Sequence, residues 1–101
     1  MSGNVFLYTA GSLGVSSFTG TATEFDNIRA GLAKVWETVN KGIASSGKEL
    51  VNLMYCSATG SLTARLSSGS AHTVYGARFH GEISTNDACL QLLESVCQLD
   101  F

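Results

Sequence analysis

"VFLYTAGSLGVSSFTG", residues 5–20, decides how the fold is read. It opens as an apolar run and then meets glycines. Gly11-Ser12-Leu13-Gly14 reads either as a phosphate-cradling loop after a first strand or as the turn of a hairpin. A P-loop requires GxxxxGK[ST], because a lysine must reach the phosphates and a hydroxyl must hold magnesium. No lysine follows Gly14. A dinucleotide fingerprint requires its glycines to lead directly into a helix whose amides face the pyrophosphate. Here "VSSFTG" intervenes, and Val15, Ser17 and Phe18 suggest a second strand before a helix starting near Thr21. Glycines between two apolar runs are then a hairpin turn.

Downstream, Phe25, Ile28, Leu32, Val35, Trp36, Val39 and Ile43 recur every three or four residues. That spacing predicts one apolar face of a long helix. Thr21 and Glu24 match a capping box, Lys41 suits the negative C-terminal end, and Gly47 is a stop signal. Gly31, inside this helix, either offers a site of close backbone approach or is simply tolerated. "ELVNLMYCS", residues 49–57, is apolar on both faces, as a central strand would be. "LTARL" alternates as a half-buried strand. "HTVYGARFHGEI" reads as a third, with Tyr75, Ala77 and Phe79 on one face and Val74, Gly76, Arg78 and His80 on a solvated or partner-facing one. "STNDACLQLLESVCQLDF" closes the chain as a second helix with Cys89, Leu92, Leu93, Val96 and Leu99 on its stripe. The expected class is α+β: one domain over residues 1–101, in the order β-β-α-β-β-β-α. A mostly antiparallel sheet of four to five strands is covered by one long and one short helix in a two-layer sandwich.

Composition narrows the function. Of 101 residues, 45 % are hydrophobic and 14 % charged, with a net charge of −2. So few charges point to a surface covered by a partner or a second copy, or else to a Ser/Thr/Gly-rich solvated exterior. The six basic residues never cluster, which argues against nucleic acid, whose binding rests on displacing counterions with grouped Lys and Arg. No apolar run approaches the roughly 20 residues of a membrane span. "MSGNVFLYTA" lacks a signal peptide's basic and apolar regions. Three cysteines, with no CxxC, fit a reducing cytoplasmic setting better than a disulfide framework.

Chemistry finds little support. Cys56 lies in an apolar strand, where burial makes a thiol inert, and Cys89 and Cys97 lie on a helix stripe. His72 and His80, eight residues apart on one strand, would lie about 26 Å apart and read as two surface imidazoles that cannot share an ion. There is no G-x-S-x-G elbow, and the carboxylates serve helix starts. No catalytic, cofactor-binding or metal-binding residue is assigned, and neither a cofactor nor a small-molecule ligand is expected.

The order of elements resembles the roadblock/LC7 group of small α/β domains, which includes dynein light chains and endosomal scaffold subunits. The resemblance spans residues 4–99: the hairpin "VFLYTAGSLGVSSFTG", the helix "TATEFDNIRAGLAKVWETVNKGIA", the strands "ELVNLMYCS", "LTARL" and "HTVYGARF", and the helix "NDACLQLLESVCQL". It is one of order and spacing, and the last strand is less apolar than the family's. It implies a homo- or heterodimer, with paired long helices and a sheet continued across an edge strand, acting as a scaffold beside a small GTPase or a motor. The seam is then expected on Leu62, Ala64 and Leu66, with Arg29, Lys34 and Glu37 nearby, and Trp36 in the core. Two other readings compete with this dimerising scaffold. One is a small inhibitor or effector, encoded by a phage or mobile element, that blocks a host protein machine. The other is an enzyme or ligand carrier with a pocket between helix and sheet.

Overall fold

A computed structural model describes residues 5–15, 18, 20–76 and 85–98. Its elements are β1 (Val5–Thr9), β2 (Ser12–Val15), α1 (Ala22–Ile43), a 3-10 turn (Ala44–Ser46), β3 (Leu50–Cys56), β4 (Ser61–Leu66), β5 (Ala71–Val74) and α2 (Thr85–Gln98). The five strands form one antiparallel sheet in the order β2-β1-β3-β4-β5. The α+β class, the element order and the two-layer arrangement are those expected.

The opening stretch is a hairpin with a tighter turn than the glycines suggest. Thr9 pairs with Ser12, so the loop is only Ala10-Gly11. Both residues have positive φ, 47° and 90°. Two-residue hairpins adopt such turns because their twist matches that of the strands. The second strand therefore starts at Ser12 and takes in Gly14, earlier than the Val15–Phe18 run expected for it.

Thr21 caps α1 reciprocally. Its Oγ1 accepts from the Glu24 amide at 3.1 Å, and its own amide donates to Glu24 Oε1 at 2.9 Å. Just before the cap, Phe18 packs against Phe6 and Phe25, with ring centroids 5.6 and 5.5 Å apart. A Cβ at Gly20 would fall 2.5 Å from the Phe18 ring, so the absence of a side chain there lets the ring fold back. In the last turn of the helix, Asn40 Oδ1 accepts the Leu50 amide at 2.9 Å and ties the helix end to the start of β3. Gly47, with φ 78°, turns the chain between them, as expected of the stop. β2 and β3 both run antiparallel to β1, so they are parallel to each other with β1 between them. At about 1.5 Å per residue the 22-residue helix is long enough to carry the chain back along the sheet.

One core lies between sheet and helices. Phe6, Tyr8, Leu53, Tyr55, Leu62, Ala64, Leu66 and Val74 supply its sheet side. Ile28, Leu32, Val35, Val39 and Ile43 from α1, with Ala88, Cys89 and Leu92 from α2, supply the other. Trp36 borders it edge-on to Tyr8, in the role expected. The two helices meet closely at Gly42, where a Cβ would lie 2.5 Å from Leu93 Cδ2.

Three expectations on the last strand change: Val74 is buried and Tyr75 exposed, the reverse of the expected faces. β5 ends at Val74, and Gly76 has φ 80°; the expected continuation through Ala77, Phe79 and His80 lies outside the described residues. His72 is buried rather than a surface imidazole. It sits on the core face with Val74, and its Nδ1 lies 3.1 Å from Ser95 Oγ on α2.

Candidate functional site

Strand alternation gives every inner strand a second face, and both helices pack on the first. On the second face Val5 and Leu7 of β1 stand beside Cys56 and Met54 of β3, their direct cross-strand partners. Val51 joins them through a bulge. Register shifts between Leu50 and Asn52, which lets both Leu50 and Leu53 reach the core although they are three positions apart. Val51 and Asn52 are then both turned away from the core. Val5, Leu7, Val51 and Met54 are 39 %, 43 %, 43 % and 44 % exposed.

Around this apolar centre lies a hydroxyl rim. Ser12, Thr9, Ser61, Thr63 and Thr73 alternate with core residues on their strands, and Thr63 and Thr73 hold their hydroxyls 2.9 Å apart. Among the described strand residues on this face, Arg65 alone is charged. β3 is thus central in the sheet and apolar on both sides, as expected, but only one of those sides is covered.

Cys56 marks one end of the face, and the burial expected of it is corrected. The thiol is half-buried rather than enclosed. Its pKa is lowered by hydrogen bonds from the Thr59 hydroxyl first, and then from the Thr59 amide, which outweigh the opposing effect of burial; the Ala58 amide adds to them. The chain after β3 turns sharply there, the Gly60 amide donating to the Cys56 carbonyl at 2.8 Å. Cys89 is buried, as expected, and burial raises its pKa, partly offset by the Thr38 hydroxyl and the Lys34 charge. The side chain of Cys97 lies outside the described residues. Cys56 belongs to the open face and His72 to the core face two strands away, so this cysteine and histidine form no nucleophile–base pair. Among the described residues no cluster of His, Cys, Asp or Glu is arranged to hold a metal.

The six residues expected at a seam do not share a surface. Leu62, Ala64 and Leu66 are core residues, 0 %, 0 % and 1 % exposed. β4 is an inner strand paired to β3 and β5, so the expected edge there is corrected: the outermost strands are β2 and β5. Arg29, Lys34 and Glu37 are exposed on α1, in the opposite layer from the open face, and the Arg29 guanidinium lies 5.1 Å from the centroid of the Phe25 ring. The open face was missed because alternation in "LVNLMYC" shows two apolar sides without saying which one a helix covers. Counting helices carried the signal: two helices cover one side of five strands.

No family model, curated protein or solved structure matches the chain. Among the described residues no helix is long and apolar enough to cross a membrane.

Proposed function

We propose that the chain is a non-enzymatic protein-interaction module, a dimerising scaffold or regulatory subunit that docks through the uncovered face of its sheet. The observation that carries this reading is the apolar group Val5, Leu7 and Met54, in register on neighbouring strands, with exposed Val51 on the same face. Single exposed apolar residues are ordinary, but a contiguous patch rimmed by polar residues marks a surface that associates. The hydroxyl rim adds polar groups that remain satisfied by water when unbound. The low total charge fits the same reading, since association surfaces are depleted of charge at their centre. A small GTPase or a motor is the partner class the roadblock/LC7 resemblance implies. The reading itself rests on the open face and not on that resemblance.

Affinity capture from the native host tests it, using the wild-type chain beside Leu7→Glu. The substitution puts a charge at the centre of the patch and leaves the core untouched. Partners retained by the wild type and lost by the variant, with both equally folded by circular dichroism, are the expected result. Identical retention by both would move the docking surface elsewhere.

A further inference from the structure

We infer that the open face is covered by a second copy of this chain, the two sheets packing face to face in a transient, symmetric dimer. This rests on the interaction reading above and names its partner.

Two observations favour self-association, and a third sets its strength. The first is geometry. Met54 lies mid-sheet, in the row Gly14, Leu7, Met54, Thr63 and Thr73. A two-fold axis through Met54 lays the apolar centre of one face on that of the other, and closed two-fold dimers are the commonest assemblies. Sheets of equal twist pack face to face with their strands nearly aligned, and two copies share one twist.

The second is charge. A face that meets itself must not set like charges opposite each other. Arg65 is the sole charged residue among the described strand residues here, one strand and two residues along from Met54. An axis along β3 carries the second Arg65 over β1, and an axis across the strands carries it over Ser61. By backbone position the two Arg65 residues then stand about 14 Å apart in the first case and about 17 Å in the second, given roughly 4.8 Å between strands, 3.3 Å per residue and 10 Å between sheets. Both exceed the Debye length of about 8 Å at physiological salt. Neither arrangement opposes like charges.

The third is area. Five strands averaging five residues make a face of about 24 by 17 Å, or about 400 Å² per copy. Two copies bury about 800 Å² in projection, below the roughly 1,200 Å² at which stable complexes begin. The dimer is accordingly weak and set by concentration.

Sedimentation equilibrium from 1 µM to 1 mM tests this, with wild type, Leu7→Glu and Met54→Glu, each checked for folding by its thermal transition. The expected result is a dimer in the micromolar to millimolar range whose dissociation constant rises at least about tenfold in either folded variant. The second variant keeps the test decisive if one fails to fold. A wild type monomeric at 1 mM overturns the inference, and so does a dimer that both variants retain. If the wild type is monomeric yet captures a host protein that Leu7→Glu does not, the self-partner falls and the interaction reading stands. If it also captures nothing, both fall.

Discussion

Among the described residues, Ala10 is the one least suited to its backbone. It occupies the left-handed region at φ 47°, beside Gly11, in a turn that asks for positive φ at both positions. A residue with a Cβ pays roughly 1–2 kcal/mol there, while Asn visits the region readily. Ala10→Asn is therefore expected to stabilise the protein by about 0.5–1 kcal/mol, read as a rise of several degrees in a thermal melt. Cys56 is the second residue whose surroundings can be tested. Donors from the turn hold its thiol below the ordinary value, whereas burial holds Cys89 above it. Only the thiolate attacks an alkylating reagent. Iodoacetamide labelling followed by peptide mapping should find Cys56 modified well before Cys89. Its rate–pH midpoint should shift upward in Thr59→Val, which removes the first-ranked donor. A midpoint unchanged by that substitution would mean the Thr59 hydroxyl does not hold the thiolate.

Among the elements, α1 was the most legible from sequence, and β5 the least. The stripe from Phe25 to Ile43 and the Thr21/Glu24 box are local patterns, and local geometry satisfies them: both reciprocal hydrogen bonds form. Thr21→Ala removes one of them and is expected to cost about 1 kcal/mol, measured by urea denaturation with the slope unchanged. β5 depended on distant residues. His72 reads as a surface group until Ser95, 23 positions later, is known to face it. Likewise nothing within "LTARL" reveals that β4 lies between two other strands, because strand order is set by pairing between distant segments. The opening hairpin falls between these cases. Its existence was readable from the glycines, but its turn moved to Ala10-Gly11 because cross-strand register, not glycine count, locates a two-residue loop.

Across the whole molecule, two neighbouring residues separate the settled half of the sheet from the open half. Leu53 and Met54 are consecutive on β3; one is 0 % exposed and the other 44 %. Truncating the first leaves a cavity against α1 and should cost about 2–5 kcal/mol. Truncating the second removes a side chain that meets water in the monomer, where surface substitutions usually fall within about 0.5 kcal/mol. Association changes that balance, because anything that binds only the folded state adds stability by mass action. If the open face pairs with its own copy, the wild-type melting temperature rises with protein concentration, and so does the apparent cost of Met54→Ala. The cost of Leu53→Ala, whose side chain lies on the other face, should change far less over the same range. Melts at about 5 µM and 500 µM bracket the weak affinity expected of so small a face. Concentration-independent melting of the wild type would leave the patch exposed in solution and remove self-association as the reason for it.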